Sequence, residues 1–458
     1  MIPRLTSIST SVRQLKNSFA PVNHLPPEVL ALVPTFRESE RDLISATAVC
    51  TYWRRTLVST PILWNKIICS EWEKPGITTS RVQTYLERSG SIPIDVQIHA
   101  RASHSLSSHT GRVSSLRIFL DHPSNLGEIA EHFSKPTPIL ETISLHARDW
   151  NQRTLVLAPT FFEAVLSSLR TLTLCGAALS PGPYRLSRLT KFTLETRTGM
   201  GVPSVALLDS LERMPLLRIF QAKLCSLYQP DAVPQGRMVT LPYLEEIKIT
   251  VDHKSWGLLT IPILPALCLP SARGVSIRSV SASGVLPSPI LPLSFEDQLP
   301  SLNTTPEVSV TLGAEFNIEF FGPRQSRLTI SIHSAAIFVL KPSTFGGVSF
   351  GSVRKFRACF PSLREDSVHL VALLRAMKSL EWLEVERNAG DPLADWAEAD
   401  DQAEICPALV TLIIDITDVD IEETKHCIRG LKQVRERAGV PIARVEIGYR
   451  RDWAPVGF

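Results

Sequence analysis

Five histidines, His99, His104, His109, His122 and His132, crowd one stretch of this chain, and imidazole is a common metal ligand and proton carrier. Their spacings fit no zinc template and no carboxylate accompanies the first three, so they read as loop histidines with no metal among them. Gly199-Met200-Gly201 is a fragment of a dinucleotide-binding pattern and reads as a turn. No phosphate-binding loop, nucleophile elbow or zinc-helix motif occurs. The acids between Asp391 and Glu404, with Trp396 among them, offer either a grip for a basic partner or a solvated loop. The eight cysteines lie at positions 50, 69, 175, 225, 268, 359, 406 and 427. They make no C-x-x-C pair and read as reduced, buried small hydrophobes of an intracellular protein, in cytoplasm or nucleus. These residues point away from bond chemistry, and no catalytic residue, metal or cofactor is expected.

Composition narrows the classes further. The 458 residues are 44% hydrophobic and 20% charged, an ordinary globular balance with room for a large core. The net charge of +3 is already supplied by Arg4, Arg13 and Lys16, ahead of the first acid at Glu28, so no strongly basic domain exists for nucleic acid. The apolar stretch from Leu258 to Pro270 is broken by Pro262 and Pro265, and no membrane span is expected. Residues 1–23 lack acids and are rich in Ser and Thr, which suits a transit peptide or a disordered tail. The tail is preferred because it leads straight into a helix with no cleavage-like transition.

That helix should start at Pro26 or Pro27, where a missing donor is harmless and Glu28 complements the dipole. Pro34 should end it at Val33. Ser39-Glu40-Arg41-Asp42 resembles a capping box, and a second helix is predicted from about Glu40 to Val58, with Leu43, Ala46, Thr47, Cys50, Trp53 and Leu57 on one face. Thr60-Pro61 can cap a last turn carrying Leu63 and Trp64.

From Val113 onward one phrase recurs: an apolar residue, two variable ones, then apolar-variable-apolar. It reads Val113/Leu116/Ile118, Leu140/Ile143/Leu145, Leu169/Leu172/Leu174, Leu189/Phe192/Leu194, Leu217/Phe220/Ala222, Leu244/Ile247/Ile249 and Ala272/Val275/Ile277. It returns as Val353/Phe356/Ala358, Leu380/Leu383/Val385, Leu409/Leu412/Ile414 and Ile442/Val445/Ile447. Most leading positions are separated by about 27 to 29 residues, a solenoid period. The alternation predicts a short strand in each phrase, and helix patterns fill intervals at Ser204 to Met214, Leu370 to Met377 and Ile421 to Ala438. Between them, residues 262–306 are irregular and proline-rich, with Pro289 to Pro292 making a P-x-x-P that reads as a loop. Val308/Val310/Leu312 and Leu328/Ile330/Ile332 then restore the strand rhythm.

The order Leu25-Pro26-Pro27-Glu28, Asp42-Leu43-Ile44, Val49-Cys50, Trp53-Arg54 and Pro61-Ile62-Leu63-Trp64 resembles an F-box. The strand and helix units resemble degenerate leucine-rich repeats, although the Asn or Cys that usually follows the second strand leucine is mostly missing, Asn388 being an exception. Arg81 to Gly90 followed by Pro93-Ile94-Asp95-Val96 resembles the junction in fungal F-box proteins that carry a repeat domain. The expected fold is therefore α/β, a small helical F-box (24–70), a junction helix and first strand (71–98), and a leucine-rich-repeat-like solenoid with a curved parallel sheet (99–458).

The resemblance implies a non-catalytic substrate receptor of an SCF-type ubiquitin ligase. Its F-box would bind a Skp-type adaptor, and through it a cullin, while the repeats hold a protein target. Leu25, Pro26, Val29, Leu32, Val49 and Trp53 would form or support the adaptor-binding surface. A repeat-based scaffold, with the helical segment as a mere cap, is the alternative. Outward-facing strand residues should line up as a ladder of Ser144, Thr173, Thr193, Gln221, Lys248, Ser276, Arg357, Glu384, Ile413 and Glu446. Lys355, Arg357, Trp382 and Glu384 there mix aromatic and charged groups as interfaces do, and are the expected target-binding residues.

Overall fold

A computed structural model describes residues 12, 15–17, 19–33, 40–69, 75–120, 125–132, 137–147, 155–157, 168–179, 186–196, 202, 204–224, 237–251, 263–279, 307–312, 316–321, 327–332, 350–359, 367–386, 393, 396–399, 401–402, 404–415 and 421–448. The chain divides into two compact units, residues 1–150 with 158–175, and residues 151–157 with 176–458. The first is a helical head followed by a parallel sheet. Its helices α1 (Pro27–Leu32), α2 (Glu40–Thr47) and α3 (Thr51–Val58) precede strand β1 (Lys66–Ile68), helix α4 (Pro75–Arg88) and strand β2 (Ile94–His99). Strand β3 (Val113–Leu120), helix α5 (Asn125–His132), β4 (Thr142–Ala147) and β5 (Thr171–Cys175) complete it. These five strands are parallel and lie in chain order.

The single helix expected from Glu40 to Val58 is two. Ala48 and Val49 close tight turns onto the Ser45 and Ala46 carbonyls, and Cys50 stands extended as the cap of α3. Thr47, Val49 and Thr51 make this a β-branched run that loses side-chain freedom in a helix, so the break falls where propensity is lowest. Helix α1 begins at Pro27 and ends at Leu32, with Val33 still helical in φ and ψ although it precedes Pro34. The expected boundary is thus met with no help from a conformational bias at Val33. Thr60 precedes the last short turn without capping it, because its hydroxyl donates back to the Thr56 carbonyl at 2.7 Å. Ser39 and Pro34 themselves lie outside the described residues.

The second unit holds β6 (Lys191–Glu195), α6 (Ser204–Glu212), β7 (Ile219–Leu224), β8 (Glu246–Val251) and β9 (Gly274–Ser279). It continues with β10 (Glu307–Leu312), β11 (Phe316–Phe321), β12 (Arg327–Ile332), β13 (Lys355–Cys359), α7 (Ser367–Ala376), β14 (Trp382–Glu386), β15 (Thr411–Asp415), α8 (Ile421–Arg437) and β16 (Arg444–Gly448). The sheet order is β6-β7-β8-β9-β11-β12-β10-β13-β14-β15-β16. Its described pairings are parallel except those of β11, which runs against both β9 and β12. Phe316–Phe321 is a strand the repeat phrase did not predict, and it swaps the positions of β10 and β12. The P-x-x-P lies outside the described residues, as do 280–306 generally.

Apolar ladders run across the parallel strands, buried except at the half-buried Val445. Phe192, Phe220, Ile247 and Val275 are in register, as are Phe356, Leu383, Leu412 and Val445. Phe192 and Phe220 stack with centroids 5.7 Å apart. Several phrases have a turn just upstream, in which the leading residue donates to the carbonyl three residues earlier. Leu140 bonds to Thr137, Leu217 to Met214, Leu244 to Leu241, Ala272 to Leu269, Leu380 to Met377 and Leu409 to Cys406. All twelve of these residues are buried. Proline follows the first residue in five of these turns, at Pro138, Pro215, Pro242, Pro270 and Pro407, where its fixed φ favours the turn. The repeat therefore reads apolar-Pro-x-apolar before the strand, a signal visible in the sequence that the strand phrase alone omits.

The last turn is reinforced. Cys406 adopts φ +48°, donates its thiol hydrogen to the Leu374 carbonyl at 3.1 Å, and is pushed up to about 12 in pKa by burial. Arg435 of α8 reaches in to donate to the Ile405 and Cys406 carbonyls at 2.8 and 3.0 Å, with its guanidinium near the buried Trp396 ring. The acidic stretch is thereby anchored as well as solvated, since Asp401 also takes a two-pronged ion pair from Arg375 of α7. That pair holds the Asp401 carboxyl below its usual range.

Two outcomes follow from this packing. Deleting the chain from Ile421 removes Ile428, Leu431 and Arg435, should uncover Leu409, Leu412 and Ile414, and should yield aggregated protein by light scattering, since a newly exposed apolar patch drives association. Raising pH through the window between the ordinary thiol pKa near 9 and the raised value about 12 favours the unfolded chain, which ionises Cys406 first. The thiol's stability contribution is thus complete below pH 9 and lost above. Cys406→Ala should flatten that part of the melting-temperature profile relative to wild type.

Candidate functional site: an apolar docking surface on the helical head

The head folds around a few polar ties that fix its apolar residues. Trp53 on α3 is buried and donates its indole hydrogen to Asn23 Oδ1 at 2.7 Å. Tyr52 donates to the Leu25 carbonyl at 2.8 Å, and Arg54 Nε donates to the carbonyl of Thr47 at 3.0 Å, closing the end of α2. Trp64 is buried and donates to the Leu57 carbonyl at 2.8 Å. Leu30, Leu43, Leu57 and Leu63 fill the space between.

Six apolar side chains turn outward from this frame. Val29 is 43% exposed, Leu32 54%, Val33 45%, Ile44 49%, Val49 56% and Ile62 59%. Ten of the sixteen large apolar residues exposed among the described residues fall between Val12 and Ile62. Exposed apolar residues are thus concentrated at this end of the chain, whereas singly scattered ones carry no meaning. Three of the others, Ile139, Leu216 and Tyr243, belong to the turns that open the repeats, and Val410 directly follows one.

Of the expected adaptor-binding residues, Pro26, Val29, Leu32 and Val49 are exposed and Leu25 is half-buried. Trp53 sits beneath them as support. Ile44, Val33 and Ile62 share the exposure and were missed. For Ile44, reading α2 and α3 as one helix hides the phase of its two apolar faces. Asn23 was missed because it precedes the helix, and only its link to Trp53 reveals its role.

On the strands of the second unit, the outward ladder is in register as expected. Thr193, Gln221, Lys248 and Ser276 pair in succession, as do Arg357, Glu384, Ile413 and Glu446. Ser144 and Thr173 pair likewise in the first unit. Lys355 is exposed, Trp382 and Arg357 are half-buried, and Glu384 is 2% exposed. Arg357 Nε lies 3.7 Å from Glu384 Oε2, so the two charges face each other. In the first unit the same face carries a row of rings, with Phe119 between His99 and His146 at centroid distances of 5.5 and 5.2 Å. Ser144 Oγ lies 2.9 Å from His146 Nε2. Among the described residues no group of three His, Cys, Asp or Glu side chains is placed to hold a metal, and no described helix is long and apolar enough to cross a membrane.

No curated protein matches this chain. The helical head, with its buried tryptophans and outward valines and leucines, does have a counterpart: residues 22–70 match the F-box-like family and form an F-box-like domain.

Proposed function

We propose that this chain is the substrate-recognition subunit of an SCF-type ubiquitin ligase, with the F-box-like domain docking a Skp-type adaptor and the sheet of repeats holding a protein target. The observation that carries this reading is the outward set of Val29, Leu32 and Val49 on a domain matching the F-box-like family. F-box domains bind such adaptors generally, and an exposed apolar cluster over a polar-tied core supplies the buried anchors on which helical docking depends. The chain would then bring a target to the ligase without performing bond chemistry itself.

We read the parallel strands and their upstream turns as degenerate leucine-rich-repeat units forming a solenoid. The target would lie on the outward face of β13 to β16. Trp382 and Lys355 are the accessible part of that surface, because Arg357 and Glu384 already satisfy each other. Aromatic and cationic residues at such positions are enriched among interface anchors.

Adaptor capture tests the first half. Leu25→Ala with Val29→Ala should abolish pulldown of a Skp-type adaptor, an anchor being worth about 2 kcal/mol or more of binding. The circular dichroism melt of the repeats should stay unchanged. Leu57→Ala, a buried site, should instead lower stability by about 2 to 5 kcal/mol. Undiminished pulldown by the double variant would favour the scaffold role, in which the head is only a cap.

Target capture tests the second half. A Trp382→Ala, Lys355→Ala variant should lose proteins that the wild type labels by proximity, while keeping its melting temperature. Arg357→Ala is a poorer probe, because it removes an ion-pair partner of the buried Glu384 carboxylate and should destabilise the sheet by itself.

A further inference from the structure

Beside the F-box-like core, helix α4 presents one stripe of polar residues, Ser80, Arg81, Thr84, Tyr85 and Arg88, spaced along a single face. With Ile44 and Thr47 of α2 and the ring of Trp64, this stripe walls a cleft of about 570 Å³. Two guanidinium groups line it, and no carboxylate does among the described residues. Arg88 has no ion pair among the described residues; its guanidinium lies over Trp64, with Cζ 4.3 Å from the ring centroid. A cation–π contact of this kind does not use up the guanidinium N–H donors, whose fork matches phosphate oxygens two at a time. Trp64 is itself held, by its bond to the Leu57 carbonyl and by the edge of Tyr85 at 5.0 Å, so the fork is fixed before anything binds.

The donors available to a ligand can be sorted. Thr47 and Thr84 spend their hydroxyl hydrogens on the Ile44 and Ser80 carbonyls. Arg81 gives one Nη to the Ile68 carbonyl, which secures the end of β1. Arg88 and the exposed Ser80 hydroxyl are left to meet an anion, with Arg81 adding charge behind them. The cleft is much larger than a lone phosphate needs and lies within the range of about 300 to 1,000 Å³ for small-molecule pockets. Ile44 and the Tyr85 ring give it an apolar wall.

We propose that this cleft binds a phosphomonoester carried on a small ring-bearing molecule, with Arg88 as the phosphate fork and Ser80 as a second donor. The site is distinct from the adaptor anchors on α1, and it stands whether or not the docking role holds.

Titration calorimetry on the full chain, with adenosine monophosphate, adenosine and inorganic phosphate as probes, tests the site. Adenosine monophosphate should bind, adenosine should not, and inorganic phosphate should bind more weakly than the ester. Arg88→Gln should weaken the ester at least tenfold, and Arg88→Lys several-fold, because the charge remains but the fork is lost. Ser80→Glu, at an exposed position that does not threaten the fold, should abolish binding by placing a carboxylate in the cleft. Adaptor pulldown by Ser80→Glu should match wild type, which separates failure of this site from failure of the docking reading. Absence of binding by both phosphate probes at millimolar concentration would overturn the proposal. So would equal affinity for adenosine and its phosphate, phosphate binding with the ester excluded, or undiminished binding by Ser80→Glu.

Discussion

Trp64 is the side chain on which the head and the first strands jointly depend. A domain as small as residues 22–70 buries too little surface for comfortable stability alone, because the buried fraction falls steeply at that size. Trp64 offsets this by closing the head's core from below, donating to the Leu57 carbonyl while Tyr85 and Arg88 of α4 cover its other sides. The backbone joins at the same place: Asp95 donates to the Asn65 carbonyl and Cys69 to that of Gln97, so β1 enters the sheet one turn after Trp64. The head can leave valines and leucines facing outward because its interior is completed by the following helix.

The repeats solve a related problem with little sequence. Their strands carry only two or three inward apolar residues each. The upstream turn takes over part of the task, burying one more residue per repeat and aligning the next strand through its backbone bonds. Residues just after the turn add alternating charges at the same height, as in Arg170 with Glu141, Arg218 with Glu245 and Arg354 with Glu381. Each such exposed pair contributes under about 1 kcal/mol, so the buried turn residues dominate and the charges chiefly disfavour a slipped register.

Most of the parallel strands were legible because period-two alternation survives even when individual leucines do not. Helices α6, α7 and α8 were legible for the equivalent reason at period 3.6. What was not legible depends on three-dimensional competition. The break at Ala48 to Cys50 follows from a β-branched run whose effect is decided by packing on both sides, and an apolar stripe read through it looks continuous. Strand β11 was missed because Phe316 to Phe321 carries the alternation out of phase with the repeat period. Glu384 reads as an exposed ladder residue, and alternation does place it outward. Its burial comes from its neighbours, with Arg357 on the adjacent strand within ion-pair reach, and that cannot be inferred from its own strand.

The burial of Glu384 changes what the outward face of β13 to β16 can contribute to recognition. A carboxylate removed from water and paired with a half-buried arginine has already met its desolvation cost in the free protein. On the proposed reading, pulling Arg357 away to grip a target would cost the Glu384 carboxylate this ion pair, which opposes the new contact. On the same reading, affinity on this face comes from groups without such a pairing, chiefly the half-buried ring of Trp382 and the half-buried side chain of Ile413, with Lys355 at the margin. On that reading the Arg357 and Glu384 pair, in register across β13 and β14, would penalise a partner presenting an unmatched charge at the centre. Selectivity would then be enforced by repulsion and desolvation as much as by attraction.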